Sequence, residues 1–188
     1  FRNGDAIPTA SSNAKWREGW AGPSWGPLRA KVDHPDVPSQ LYNGRAVRDV
    51  RGICPAGWSV PTMARWKNMF SLLGGSSTAG GKLKSTRMRT PTTHGWNEPN
   101  SGATNASGFN GLPGGRRGIN GTFESPYYTA EWWGSNAPGQ NANAVIAFST
   151  GAAMGEYAGH TGYGLLLRCV RDEPVVDPRT PVTPVSCP

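Results

Sequence analysis

Gly52-Ile53-Cys54-Pro55-Ala56-Gly57-Trp58-Ser59-Val60-Pro61-Thr62 decides how this chain is read, because Leu167-Arg168-Cys169-Val170-Arg171-Asp172 answers it far downstream. The first stretch sets a cysteine at the head of a turn-and-helix segment. The second sets another in a final apolar strand. Beyond Pro61, Thr62 is placed to cap a helix, and Met63 through Leu73 put Trp66, Met69, Phe70 and Leu73 at i, i+3, i+4, i+7 spacing, a core-facing stripe. Gly74-Gly75 ends it. The first turn, Met63, Ala64 and Arg65, offers no acid to the helix dipole, so the buried face must decide that the helix forms.

Composition bounds the rest. A chain of 188 residues is expected to hold one domain. Its 26 glycines and 17 prolines bring it close to the level at which aperiodic chains stay disordered, while eight tryptophans supply the buried area that opposes disorder. A loop-rich globule held by aromatics is expected. No stretch approaches the ~20 apolar residues of a membrane span, and no signal peptide is visible, which is read as a mature or trimmed chain.

The net charge of +7 is scattered. Its densest run, Lys82-Leu83-Lys84-Ser85-Thr86-Arg87-Met88-Arg89, holds four cations and no acid. The ordinary reading is a solvated strand or loop edge; the alternative is a patch for an anionic partner. No nucleic-acid motif accompanies it.

The first forty residues show little periodicity. Trp16, Trp20 and Trp25, among prolines at 23, 27, 35 and 38, read as an irregular loop pinned by indoles or, alternatively, as a sugar platform. Gly75 to Pro126 reads as a long Gly-, Ser-, Thr- and Asn-rich excursion with turns throughout. Strands are expected at Glu131–Gly134, Ala144–Ser149 and Gly164–Val170. After Asp172, prolines at 174, 178, 181 and 184 space out an extended, semi-rigid tail over 173–188.

Six motifs in fixed order carry a family resemblance: RGICPAGWSVPT from Arg51, GGKLK from Gly80, W-x-x-P-N-S-G-A-T-N-A-S-G-F from Trp96, L-P-G-G-R from Leu112, WWGS from Trp132 and RCVRD from Arg168. Together they resemble the Fibrobacter succinogenes major paralogous domain over residues 1–172. That family is common in surface and secreted proteins of Bacteroidota and Fibrobacterota and in viruses that infect them. It is similar in fold to C-type lectins and formylglycine-generating enzymes. The resemblance implies an α+β, C-type-lectin-like domain: a small twisted antiparallel sheet, one clear helix and long irregular loops. It implies a Cys54–Cys169 disulfide and an oxidising compartment, the alternative being two buried free thiols. Cys187 is then left for an intermolecular bond or a free thiol. Relatives carry strands ahead of the Phe1-Arg2-Asn3-Gly4 segment. Without them the closing strand over 164–170 is expected to need a cover, from another polypeptide or from residues 3–7 or the tail folding back.

In C-type lectins a Glu-Pro-Asn triplet helps bind calcium and sugar, and Glu98-Pro99-Asn100 reproduces it. The partner segment Trp133-Gly134-Ser135-Asn136 offers no carboxylate, so six to eight oxygen ligands are hard to assemble and no cofactor is expected. A turn with Asn97 and Asn100 bonding local backbone is expected instead. Gly102-Ala103-Thr104-Asn105-Ala106-Ser107-Gly108-Phe109 with Leu112-Pro113-Gly114-Gly115-Arg116 reads as tight turns with Phe109 and Leu112 as buried pegs. His34, His94 and His160 lack metal-ligand spacing, and Cys54 lacks a neighbouring base, so no enzyme is expected. The strongest recognition candidate is a face mixing aromatics with adaptable amides: Tyr127, Tyr128, Trp132, Asn136, Gln140, Asn141, Asn143, Glu156, Tyr157, His160 and Tyr163. The expectation is an extracellular or virion-exposed binding module: a structural subunit of an appendage or particle, or an adhesin recognising cell-surface carbohydrate or protein.

Overall fold

A computed structural model describes residues 1–21, 29–31, 40–135 and 141–172. The expected tail, Cys187, Trp25, His34, Asn136 and Gln140 lie outside these residues. The chain is mixed α and β with antiparallel sheets. In order it forms α1 (Asn13–Ala21), β1 (Arg29–Lys31), β2 (Gln40–Asn43), α2 (Gly44–Arg48), β3 (Trp58–Ser59), α3 (Met63–Leu72) and α4 (Ser76–Leu83). Then come β4 (Arg116–Arg117), β5 (Phe123–Glu124), β6 (Thr129–Trp133), β7 (Asn141–Phe148), β8 (Met154–His160), β9 (Gly164–Leu165) and β10 (Val170–Arg171).

The expected helix is α3. Thr62 caps it, its hydroxyl accepting from Arg65 N at 3.1 Å, and Trp66 and Phe70 are buried. Gly74 and Gly75 end it in the left-handed region, at φ +92° and +94°, with Gly75 N donating back to Phe70 O at 2.8 Å. The expectation of one clear helix is corrected by α1, α2 and α4. Helix α4 falls in a stretch expected as loop, since Gly80 and Gly81 depress helix propensity. They are there for contact: a Cβ on Gly80 would lie 2.5 Å from Ala153 O, and one on Gly81 2.2 Å from Gly102 O. The long excursion packs directly on this helix. Helix α1 is fixed by Trp16, which is buried and donates its indole N–H to Gly162 O at 2.9 Å. That indole is packed, not a sugar platform.

Strands β6, β7 and β8 form one meander, with Trp132 opposite Val145 and Val145 opposite Glu156. Side chains alternate across it. On one face Ala130, Trp132, Val145, Ala147 and Met154 meet Trp66, Phe70, Ala79 and Leu83 of α3 and α4. On the other, Trp133, Ala142 and Ala144 pack with Leu165. Phe109 and Leu112, expected as pegs, are half-buried, and Phe109 stands edge-on to Trp132 at 5.4 Å.

The closing strand is not an open edge. The second sheet runs β1-β2-β9-β4-β5, and β9 has β2 on one side (Tyr42 opposite Leu165) and β4 on the other (Arg117 opposite Gly164). Its neighbours are Gln40–Asn43 and Arg116–Arg117, stretches too short to show a period. Val170, expected at the end of the same strand, pairs separately with Ser59, and Arg171 after it with Trp58. That pairing lies beside the Cys54–Cys169 disulfide, which is formed and spans 115 residues. The N-terminus joins there too, Arg2 donating to the carbonyls of Cys54 and Trp58.

Candidate functional site

The meander has two ends, about 20 Å apart for a seven-residue strand, and the sequence candidates divide between them. Tyr127 and Tyr128 precede β6 at the end where β7 turns into β8. Asn141 and His160, directly opposed in register, and Asn143 belong to the other end, and Tyr163 follows β8 there. Trp132 is corrected from surface to core: it is 4% exposed and packs against Trp66 and Phe109. The expectation of one continuous surface therefore fails, because strand alternation and strand length separate residues close in sequence.

The first end is assembled by a residue that the basic run concealed. Lys84, immediately after α4, is 0% exposed. Its ammonium donates to Ser101 O at 3.0 Å, Phe148 O at 2.9 Å and Gly151 O at 2.8 Å, and stands 5.2 Å from the centre of the Trp96 ring. All three of its donors are used. Burial lowers its pKa from 10.5 to about 8, so the group is charged at neutral pH. Backbone bonds complete the knot: Ser101 N to Ser149 O at 2.7 Å, Ser149 N to Tyr128 O at 2.8 Å and Asn97 N to Tyr127 O at 3.0 Å. Asn100 is buried and its amide reaches across to Ser85 O at 3.1 Å, where a local turn bond was expected. Glu98 beside it is exposed.

On this knot sits a cluster of Arg89, Tyr127 and His94. Tyr127 occupies the left-handed region at φ +70°, a conformation that costs a bulky residue about 1–3 kcal/mol. Its ring lies 5.1 Å from that of His94, tilted by 51°, and the Arg89 guanidinium sits over it, 4.0 Å from the ring centre. Buried His94 bonds Pro113 O through Nε2 at 2.6 Å, so the cluster has a fixed floor. A cleft of about 420 Å3 lies alongside, lined by Arg89, Thr90, Pro91 and Asn97. Tyr128 and Phe148 flank the same end and are 52% and 45% exposed. Phe148 was missed because a strand-terminal aromatic reads as core.

The other end holds a satisfied polar network. Glu131 is 2% exposed. It accepts from the Thr129 hydroxyl at 3.2 Å and from the Tyr157 hydroxyl, with Arg116 at 3.9 Å. Burial raises its pKa against those three partners. Burial and the adjacent carboxylate push the Tyr157 phenol up. Arg116 also binds Glu124 at 2.8 Å and lies over the Tyr163 ring at 4.9 Å. His160 Nδ1 accepts from Gly162 N at 2.9 Å, and Asn143 donates to Ser135 O at 3.3 Å. Thr129, Glu131, Tyr157 and Arg116 bind one another, while Asn143 and His160 bind backbone. Tyr157, Asn143 and His160 thereby hold strands and turns together.

Residues 1–171 match the family model for the Fibrobacter succinogenes major domain. The chain belongs to that family. Within this Fibrobacter major domain, Lys84 closes the GGKLK motif, Trp96 opens the excursion motif, and Trp132 and Trp133 enter the core from opposite faces of one strand. No curated protein and no solved structure matches the chain. Among the described residues no three His, Cys, Asp or Glu side chains gather as a metal set, and no helix is long and apolar enough to cross a membrane.

Proposed function

We propose that this domain is a non-enzymatic recognition module of C-type-lectin-like fold. It acts outside the cell, on a cell surface or a virus particle, and engages its target through the Tyr127–Tyr128–Phe148 end of the meander. The Arg89–Tyr127–His94 cluster carries the reading. A strained tyrosine that orders an arginine at a cleft rim is an arrangement met where binding needs a preformed contact. Tyr128 and Phe148 add exposed aromatic area beside it, and loops on a rigid scaffold are where binding groups concentrate. The disulfide supports an oxidising compartment. A role as a structural subunit of an appendage or particle rested mainly on an uncovered closing strand, and β2 and β4 cover it.

Labelled protein applied to bacterial cells and to arrayed glycans tests the proposal. The double variant Tyr128→Ala/Phe148→Ser should lose most binding while its thermal melt stays near that of wild type. Undiminished binding by that variant would place recognition elsewhere on the molecule.

A further inference from the structure

We propose that the Arg89 cleft takes an anionic polysaccharide, its carboxylate or sulfate groups held by the guanidinium fork and its hydroxyls by Thr90 and Asn97. This rests on the meander end being the recognition face and names its ligand class.

The arginines of this protein mostly have occupied donors. Arg51 binds Asp49 and Asp5. Arg116 binds Glu124, and Arg2 two backbone carbonyls. Arg117 reaches the carbonyls of Gly121 and Ser12. Arg89 differs. Its face is taken by Tyr127, while among the described residues no carboxylate or acceptor meets its N–H groups. Seated over the ring, the guanidinium has its rotamers already restricted. An anion docking there meets a planar fork that matches carboxylate or sulfate oxygens, at reduced entropic cost. Arg87, two residues earlier, adds a second exposed cation.

The rest of the cleft suits sugar. Thr90 offers the remaining lone pair of a hydroxyl already bonded to Thr93 Oγ1 and Thr92 N, Asn97 an amide and Pro91 an apolar wall, with the exposed Tyr128 ring at the same end of the meander. At about 420 Å3 it falls within the ~300–1,000 Å3 range of small-ligand sites, room for a short glycan segment. Nucleic acid would require a track of cations with successive stacking platforms, which two arginines do not provide. One acid opposes the proposal: exposed Glu98 follows Asn97 directly.

Calorimetry on the full chain, at low and at physiological salt, would use four probes: polygalacturonate, its fully methyl-esterified form, dextran sulfate and dextran. At least one acidic polymer should bind about tenfold or more tightly than its neutral counterpart. Which pair shows the difference separates carboxylate from sulfate recognition. Arg89→Ala should weaken that binding about tenfold to a hundredfold, the range for hydrogen bonds to a charged group. Arg89→Lys should recover little, because an ammonium lacks the fork, and Glu98→Gln should strengthen binding. Equal binding of neutral and acidic polymers, or acidic binding indifferent to Arg89→Ala and competed by duplex DNA, overturns the proposal. If Tyr128→Ala/Phe148→Ser still abolishes target binding in those cases, the recognition face survives without the acidic ligand. If that variant is silent as well, both fall.

Discussion

Replacing Lys84 with Met removes a buried ammonium while keeping a side chain of similar length. The carbonyls of Ser101, Phe148 and Gly151 lose their donor in a site closed to solvent. Each stranded acceptor costs about 2 kcal/mol, so about 6 kcal/mol is at stake across the three. Opposing this, wild type must bury a charge. A fall in pKa from 10.5 to about 8 corresponds to about 3 kcal/mol, which the variant recovers at neutral pH. The net expectation is a loss of about 3 kcal/mol at pH 7, or roughly 6–12 °C in Tm for a domain this size. The sign of the pH dependence follows from linkage. Between pH 8 and 10.5 the unfolded chain holds a proton on Lys84 that the folded chain has released, so the lysine's contribution to stability grows with pH. Because Met does not titrate, the gap between wild type and variant should widen by about 3 kcal/mol across that window. Urea unfolding of both proteins at pH 7 and pH 10.5 measures it. A gap below about 1 kcal/mol at pH 7 that stays flat to pH 10.5 would refute Lys84 as the group that ties these loops together.

Gly81→Ala should destabilise, although helix propensity alone favours it by about 1 kcal/mol. Its Cβ would meet Gly102 O at 2.2 Å, and a neutral or stabilised thermal melt would show that α4 and the excursion can separate freely. Cys54→Ser/Cys169→Ser should cost up to about 5 kcal/mol in denaturant unfolding, the chain-entropy value for a loop of 115 residues; a cost under about 1 kcal/mol would mean the unfolded chain is already compact. Glu131 holds its proton in the folded protein above the pH at which the unfolded chain releases it, near 4.5, so its contribution falls as pH rises through the raised folded value. Glu131→Gln should therefore gain on wild type as melts move from pH 4 to pH 8, and a constant difference would contradict a raised pKa.

What the sequence made legible was local or strongly patterned. Helix α3 could be read because its cap, its stripe and its glycine stop lie within fourteen residues and agree. Strands β6 and β7 showed as apolar runs. The disulfide and the family were legible through six ordered motifs. Elements whose cause is distant were missed. Helix α4 looks like a linker unless Ala153 and Gly102 are known to press on its glycines. Strand β8, Met-Gly-Glu-Tyr-Ala-Gly-His, shows no apolar alternation, in part because its neighbour fills the space where a side chain would stand; a Cβ on Gly155 would meet Ile146 at 2.9 Å. Half of the candidate site was named, Tyr127 and Tyr128, but grouped with residues from the far end of the sheet. Arg89 was noticed only as one charge in a run.

That run shows why the site resists a sequence reading and how it can serve recognition. Lys84 and Arg89 lie five residues apart in one basic segment and do opposite things. The first is buried and holds the Ser101 loop and the β7–β8 turn by their backbone carbonyls; the second is exposed and held in place by a ring. Because Lys84 grips main-chain oxygens, it places few demands on the side chains those loops display. Positions such as Thr90, Thr92, Tyr128 and Phe148 face outward from a frame set by Lys84, the Ser101–Ser149 and Ser149–Tyr128 bonds and the buried indole of Trp96. Changing those exposed residues should alter what is bound and leave the fold standing. Changing Lys84 should collapse the face without touching a ligand contact. A basic segment that both builds a binding surface and supplies its charge carries two signals in one composition, and only burial separates them.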